Sequence, residues 1–153
     1  MVVNFGVMDA PPADALSATL NRPATVRRPG TWRSQLAADA HDKAVTASLT
    51  QIAGELEQAI GKQLTMIGAA IKDPKAIGRY ASGAQNPRRD VERRLRDLYL
   101  VVQIVLAQEA VETVRAWLIG SEPLLGDQSP IELLHDGETL SVARAAESFV
   151  LEG

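Results

Sequence analysis

The sequence has no cysteine, only two histidines and an aromatic content of 4%. Without cysteine the chain can form no disulfide, no thiolate metal site and no cysteine nucleophile. Because His41 and His135 are its two imidazoles, a zinc site built on histidine is not expected. The scarcity of aromatic side chains also argues against a stacking surface for single-stranded nucleic acid. We therefore expect neither a metal nor a cofactor.

The sequence also lacks an apolar run of about 18 residues, the length that a membrane-spanning helix requires. A basic leader followed by an apolar segment is missing as well, so a cytoplasmic protein is expected. The motifs of phosphate-binding loops, serine hydrolases and zinc proteases are absent. Glu55 and Glu57 lie on different faces of a predicted helix and form no paired carboxylate site. No enzymatic activity is predicted.

Charge is distributed unevenly along the chain, although the net charge is only −3. Residues 62–96 carry nine Lys and Arg against three Asp and Glu, whereas residues 97–153 carry two against ten. A basic middle followed by an acidic end indicates two surfaces with different partners. The alternative is that these charges are only the solvated faces of helices.

From residue 42 onward, apolar residues recur every three or four positions, and no segment alternates with a period of two. The predicted fold class is therefore all-α, a compact bundle of roughly five to seven helices. One apolar stripe predicts a helix over residues 43–60 that Asp42 caps and Gly61 ends. The stripe consists of Val45, Leu49, Ile52, Leu56 and Ile60.

Three regions are expected along the chain. Residues 1–41, which contain several prolines and arginines, are predicted to form an irregular arm. This arm either contacts DNA or is a linker whose Trp32 packs on the body. Residues 42–96 are predicted to bind DNA, and residues 97–153 to complete a central helix and form a C-terminal module. The segment LYLVVQIVLA is apolar on nearly every face, which predicts that this central helix is buried.

Residues 64–83 have the pattern of a helix-turn-helix, two short helices with a tight joint at Lys72-Asp73. The small residues 68–70 would let the second helix cross the first, and Ile67, Ile71, Ile77 and Tyr80 would form their shared contact. Residues near the N-terminus of the second helix reach base edges in the major groove. There an arginine can read guanine and an alanine can touch a thymine methyl. The predicted contacts to operator DNA are Lys72, Lys75, Ala76, Arg79, Arg88, Arg89 and Arg93.

An ordered set of residues in the C-terminal part carries a resemblance to a known family. The set is Trp117-Leu118, Pro123, Leu125, Gly126, Ser129-Pro130, Leu133-Leu134, Gly137 and Val142. Its order resembles the C-terminal toxin-binding domain of Xre/MbcA/ParS antitoxins. Upstream, the I-G-x-x-I and P-K-x-I-x-R-Y-x-x-G patterns of residues 67–83 are similar to the family's Xre-like helix-turn-helix. The chain departs from the family at Glu122 and Asp127, where Asn and Gly are common.

The resemblance implies an antitoxin of a type II toxin–antitoxin system. Such a protein neutralises a RES-domain toxin, which consumes NAD, and represses its own operon by binding operator DNA. A homodimer and a toxin–antitoxin hetero-oligomer are the expected assemblies. The core is expected to depend little on the last few residues, since they come late in the chain. The residues expected to contact the toxin are Arg144, Ser148, Phe149, Leu151, Glu152 and Gly153.

Two other functions stay open on the sequence alone. The chain could be a transcriptional regulator without a toxin, in which the C-terminal module serves for dimerisation. It could also be a helical adaptor that binds proteins and not DNA. A RES-domain reading frame beside the gene would separate the antitoxin from the regulator, and the salt dependence of DNA binding would separate both from the adaptor.

Overall fold

The computed structural model describes the backbone of residues 29–152 and the side chains of residues 35–152. In this part of the chain the elements are helical throughout, which confirms the predicted all-α fold class. None of these helices is long and apolar enough to cross a membrane. The α-helices are α1 Pro29–Thr46, α2 Leu49–Gly68, α3 Ala76–Ser82, α4 Arg89–Leu106, α5 Val111–Ile119, α6 Pro130–His135 and α7 Thr139–Glu152, and a 3-10 helix spans Pro123–Leu125.

Helix α4 is the buried centre of the fold and contacts α2, α5, α6 and α7. Its apolar residues Leu95, Leu98, Val102 and Val105 are at most 1% exposed, which confirms the central helix that the sequence predicts. Burying apolar side chains of this size stabilises the fold by about 1.5–3 kcal/mol each. The hydroxyl of the buried Tyr99 donates a hydrogen bond to a carboxylate of α2, so even the polar end of this side chain has a partner.

The predicted single helix over residues 43–60 is wrong, because the chain breaks between α1 and α2. Ser48, and not Asp42, is the N-cap of α2, and its side chain accepts a hydrogen bond from the backbone N–H of Gln51 at 3.1 Å. A serine cap satisfies one of the free N–H groups of a new helix, which favours a start here. The break places Val45 outside the predicted stripe, and this side chain is 58% exposed.

Helix α1 begins at Pro29, so residues 29–41 are helical and not irregular as predicted. Alanine, the strongest helix former, occurs four times in residues 35–44, and the turn-forming prolines lie earlier in the chain. Ala40 and Ala44 are buried and tie α1 to the body. Residues 1–28 and the side chain of Trp32 lie outside the described residues, so both interpretations of the arm stay predictions.

Gly61 ends the first of two helical stretches within α2, as predicted, and its positive φ of 89° kinks the chain before the second stretch. The kink releases carbonyls of the stretch before it from the helical ladder, and a side chain of α5 supplies a donor for them. Arg115 of α5 donates from Nε to the carbonyl of Ala59 at 2.8 Å. The hydroxyl of Thr65 donates to the carbonyl of Gly61 at 2.8 Å. The second part of α2 therefore runs in a new direction toward the turn before α3.

Candidate functional site

The turn after α2 is closed by two backbone hydrogen bonds around a left-handed residue. The N–H of Ile71 donates to the carbonyl of Met66 at 2.8 Å, and the N–H of Ala70 donates to the carbonyl of Ile67 at 3.1 Å. This is a Schellman arrangement, in which glycine is the usual left-handed residue. Here the position is held by Ala70 at a φ of 55°, a conformation that strains any residue with a Cβ.

Gly68 allows a close approach, but not to the helix that the sequence suggested. A Cβ at this position would lie 3.0 Å from the side-chain tips of Leu98 on α4 and Ile131 on α6. The small residue therefore seats the end of α2 against the central helix and the C-terminal part. The α2–α3 contact itself is apolar, as predicted for Ile71, Ile77 and Tyr80, which are all buried. The prediction is wrong for Ile67, which is 38% exposed.

Helix α3 spans Ala76–Ser82, and Gly83, the residue predicted to close it, is its C-cap with a left-handed φ of 80°. Asp73 prepares the start of the helix, because its side chain accepts a hydrogen bond from the N–H of Lys75 at 2.9 Å. Ala76 is only 3% exposed, so its predicted contact with a thymine methyl is wrong. Its small side chain instead lies in the core at the start of α3, where spacing alone could not reveal its orientation.

Arg79 is held by contacts on both sides of α3. One guanidinium nitrogen donates to Asp73 at 2.6 Å, and Nε donates to Gln85 at 2.6 Å. The bonded guanidinium of Arg79 first, and then the backbone N–H of Lys75, hold the pKa of the Asp73 carboxyl below its ordinary value. Arg79 thus links the turn before α3 to the loop after it, and it would have to release Asp73 to reach a base edge.

Five of the seven predicted DNA contacts are exposed basic side chains. They are Lys72, Lys75, Arg88, Arg89 and Arg93. They lie along consecutive parts of the chain, from the turn before α3 to the first turns of α4. Arg88 faces Asp90 at 3.5 Å, but with an exposed fraction of 84% this ion pair is weak.

Arg94 and Arg96 also lie near the start of α4, but they are not among the predicted DNA contacts and have structural roles. Arg94 donates to the backbone carbonyl of His135, at the end of α6. Arg96 donates to the carbonyls of Ala44 at 2.7 Å and Ala47 at 2.9 Å, and thereby caps the end of α1. The helical wheel places Arg96 opposite the apolar stripe of α4 and thus in solvent, but α1 covers this face and leaves the side chain 26% exposed.

A groove of about 480 Å³ runs between α1 and α4 beside the exposed arginines. Its walls include His41, Val45 and Leu100 together with Arg89 and Arg93. Neither arginine has a hydrogen bond or ion pair with another described residue. His41 could not be placed here from the sequence, because it is far from both arginines along the chain and only the packing of α1 brings it near.

Trp117 is the apolar anchor of the C-terminal module. Its ring lies 5.7 Å from the ring of Phe149 on α7, and the side chain is 7% exposed. The indole N–H donates to the carboxylate of Glu122 at 2.8 Å, and Glu122 also accepts from the N–H of Leu124 at 3.1 Å. The buried Glu122 thus fastens the loop to α5. Two leucines in an otherwise polar loop are predicted to point inward; this holds for Leu125, which is buried, and is wrong for Leu124, which is 63% exposed.

Two loop residues at which the chain differs from the antitoxins it resembles, Glu122 and Asp127, have clear local roles. Asp127 adopts a left-handed φ of 65°, a conformation that suits the glycine common at this position in the family. Its backbone carbonyl accepts a hydrogen bond from the hydroxyl of Ser121 at 3.1 Å. The loop therefore closes on itself, and Glu122 supplies the polar contact that ties it to the tryptophan.

The predicted toxin contacts at the end of α7 do not all face solvent. Arg144 and Glu152 are exposed, Ser148 and Leu151 are half-buried, and Gly153 lies outside the described residues. Phe149 is half-buried against Trp117, so the expectation that the core is independent of the last residues is wrong. The apolar spacing predicts that Leu140 lies on the buried face of this helix, but its side chain is 65% exposed. The residues that α7 does bury are Val142, Ala145, Ala146 and Val150.

His135 ends α6, where the sequence predicts an imidazole that interacts with free carbonyls. Its Nδ1 instead lies 3.3 Å from the carboxylate of Asp136, and the side chain is exposed. It also borders a second groove, on the side of the α2–α3 turn.

Comparison of the chain with protein-family models, with curated proteins and with solved structures gives no match in any of the three.

Proposed function

We propose that this protein is an antitoxin that binds operator DNA through the α2–α3 pair and neutralises a RES-domain toxin through its C-terminal module. The observation that carries the DNA-binding part is the set of exposed basic side chains on the α2–α3 turn and on the first turns of α4, which we call the basic surface. Phosphate contacts of this kind supply most of the affinity for duplex DNA and position the protein on it. The order of residues shared with Xre/MbcA/ParS antitoxins supports the toxin-binding part.

The position of α3 suits a helix that enters a major groove. Its inner residues Ile77 and Tyr80 pack on α2, while Lys75 stands exposed at its N-terminal end. In a helix-turn-helix the N-terminal residues of the second helix approach the bases. With Ala76 buried, base reading falls to Lys75 and to Arg79 once it leaves Asp73. The exposed arginines Arg89 and Arg93 supply phosphate contacts.

The toxin-binding surface we propose is the exposed side of α7 together with its C-terminal end. Arg144 and Glu152 are exposed charged groups on this helix, and Leu151 is a half-buried apolar group beside them. Phe149 contributes by fixing the helix on Trp117, not by a fully exposed contact. Residues 97–153 carry ten acidic side chains, a charge that suits a toxin pocket built to bind the phosphates of NAD.

The toxin-binding part is tested by co-expression with the product of the neighbouring gene. Wild-type protein should rescue growth and co-purify with the toxin. The double variant Arg144→Glu, Glu152→Lys should lose rescue while its unfolding midpoint stays within a degree or two of wild type, because both side chains are exposed. Truncation of residues 148–153 is unsuitable here, since it removes Phe149 from the core. Rescue by the double variant would exclude this surface.

The DNA-binding part is tested separately, with the duplex upstream of the gene and a shuffled duplex of the same composition. A specific repressor should bind its own site roughly 10³-fold or more tightly than the shuffled one. Equal affinity for both duplexes would remove the repressor role. No binding at low salt would leave the helical adaptor as the better description.

A further inference from the structure

The carboxylate of Asp73 is a negative group in the α2–α3 turn, beside exposed lysines of the basic surface. Residues 62–96 contain two other acidic side chains, Asp90 and Glu92. Phosphates repel a carboxylate on a surface that faces DNA, so such a group lowers the affinity for every duplex. Of these three acidic residues, Asp73 is the one that forms an ion pair with an arginine of α3.

The two carboxylate oxygens of Asp73 have different partners. Oδ1 accepts a hydrogen bond from the backbone N–H of Lys75 at 2.9 Å, and Oδ2 accepts one from Nη2 of Arg79 at 2.6 Å. The first contact does not require a charge, because an asparagine side chain accepts the same bond from the N–H two residues further on. The negative charge of Asp73 is therefore explained by Arg79 and not by the turn.

A second contact holds the guanidinium of Arg79 from the other side. Its Nε donates to Oε1 of Gln85 at 2.6 Å, and the N–H of Gln85 donates to the carbonyl of Arg79 at 3.2 Å. We call the contacts of this guanidinium with Asp73 and Gln85 the Arg79 tether. An arginine reads a guanine through two N–H groups. Arg79 would therefore exchange the bonds of the tether for those of the base.

We propose that Asp73 limits both the affinity and the specificity of operator binding, because it competes with the operator for the guanidinium of Arg79. This inference rests on the proposed DNA binding. When only part of a protein population is competent to bind, its apparent affinity falls in proportion to that fraction. Arg79 is bound to Asp73 in the free protein, so the wild type binds its operator less tightly than its own side chains allow.

The cost of the tether falls mainly on the operator. A base edge in register with α3 draws Arg79 away from Asp73, and the operator is the duplex that offers it. On another duplex Arg79 can stay on Asp73 while Arg89 and Arg93 contact phosphates, which carry no sequence information. The effect is modest, because the side chains of Arg79 and Asp73 are 39% and 51% exposed.

The experiment compares the affinity of the full chain for the duplex upstream of its gene and for a shuffled duplex of the same composition. Asp73→Asn keeps the acceptor for the N–H of Lys75 but removes the charge that holds Arg79. This variant should bind the upstream duplex about fivefold more tightly than the wild type, and the shuffled duplex at most about twofold more tightly. Equal gains on the two duplexes overturn the proposal, as does an upstream affinity that stays the same or falls.

The wild type distinguishes a failure of this inference from a failure of the proposed function. A wild type with no preference for the upstream duplex removes the repressor role and this inference together. A wild type with that preference, beside an Asp73→Asn variant without the additional gain, removes the inference alone.

Asp90→Asn is the matched control for the change in charge. Asp90 lies in the same basic region but faces the exposed Arg88 at 3.5 Å and holds no residue of α3. Removing its charge should raise the affinity for both duplexes by the same factor, about twofold or less. Thermal unfolding checks that both variants are folded. A preferential gain for the upstream duplex in Asp90→Asn as large as that in Asp73→Asn would assign the effect to net charge and overturn the proposal.

A double-mutant cycle tests whether Asp73 acts through Arg79. The Arg79→Ala background has no guanidinium to hold, so Asp73→Asn should there raise the affinity for both duplexes equally. A role of Asp73 in the turn alone would give the same upstream gain in both backgrounds, and that result overturns the proposal. Asp73→Ser in the wild-type background, which also removes the charge, should reproduce the gain of Asp73→Asn. Its failure to do so would show that the charge is not what limits binding.

Discussion

The basic region, residues 62–96, and the C-terminal region, residues 117–152, are both helical but are held by different kinds of contact. In the basic region, charged side chains fasten the backbone: Arg79 links the turn before α3 to the loop after it, and Arg96 caps α1. In the C-terminal region the main anchor is an aromatic contact, Trp117 on Phe149. Substituting one charged side chain removes only its own contacts. Substituting Trp117 disturbs the packing of the whole C-terminal module.

The basic side chains of residues 62–96 therefore form two groups: those that donate to internal partners and those that are available to phosphates. Three of the nine basic residues in the basic region, Arg79, Arg94 and Arg96, donate to internal partners. Side chains that donate internally are unavailable to phosphates without a loss of stability. A count of charges along the sequence therefore overstates the surface available to DNA, and variants of individual arginines should separate into two classes.

The largest effect is expected from Trp117→Ala, which removes the aromatic anchor. Loss of the contact with Phe149 and of the buried volume should lower the free energy of unfolding by about 3–5 kcal/mol. Chemical denaturation measures this change. The control Leu124→Ala removes an exposed side chain from the same module and should change stability by less than about 0.5 kcal/mol. Similar losses for both variants would mean that the module has no central anchor.

Arg96→Met should have the next largest effect, because it leaves the carbonyls of Ala44 and Ala47 without their donor. Hydrogen bonds from a charged group contribute about 1.5–3 kcal/mol, and partial exposure of the side chain places this one at the lower end. The matched control is Arg93→Met, three positions away on the same helix but exposed, which should be neutral for stability. Denaturation curves in which the two variants coincide would contradict the division of the arginines.

Alanine substitutions at two glycines should have smaller effects on stability, and these effects should have opposite signs. Gly68→Ala should lower stability by roughly 1 kcal/mol, because its methyl group would press on Leu98 and Ile131 in the core. Gly78→Ala should raise stability by about 0.5–1 kcal/mol, since a Cβ there meets open space and alanine favours the helix. Thermal unfolding of both variants checks the signs. A stabilised Gly68→Ala would mean that the end of α2 has room against α4.

The smallest effect concerns the ion pair of Asp73 with Arg79. Because the pKa of Asp73 is lowered in the folded protein, the pair stabilises the turn at neutral pH, and this contribution is lost as the pH falls through the lowered value. Carboxyl NMR titration should find Asp73 titrating below its ordinary value of 3.8. In Arg79→Gln the midpoint should move up toward that value. A wild-type midpoint at or above 3.8 would mean that the pair does not form in solution.

Apolar periodicity predicted much of the fold, because burial in helices follows spacing along the chain. It placed the segment LYLVVQIVLA in the core, where Leu98 and Val102 are buried, and α4 at the centre. It failed where a local cap competes with a continuous pattern, as at Ser48, and where a small residue gives no indication of its direction, as at Ala76. In both cases backbone geometry and packing decide, and neither is visible in the spacing.

Polar contacts between distant parts of the chain were the other source of error. Arg96 lies on the polar side of α4, so a helical wheel indicates solvent, but the end of α1 covers that position. From the sequence, Glu122 was only a difference from the antitoxins that the chain resembles. The structure shows that its carboxylate accepts a hydrogen bond from the indole N–H of Trp117. Such contacts depend on the arrangement of helices in three dimensions, which a single sequence does not specify.

The most direct test of the division between free and structural arginines is the salt dependence of DNA binding. For a protein that contacts phosphates, the logarithm of the affinity falls linearly with the logarithm of salt concentration, by about 0.9 per phosphate neutralised. Titrations of the upstream duplex should give Arg93→Met a slope lower by about this amount, and Arg96→Met, measured where it is fully folded, the wild-type slope. The opposite outcome, a reduced slope for Arg96→Met and none for Arg93→Met, would contradict the assignment of the basic surface.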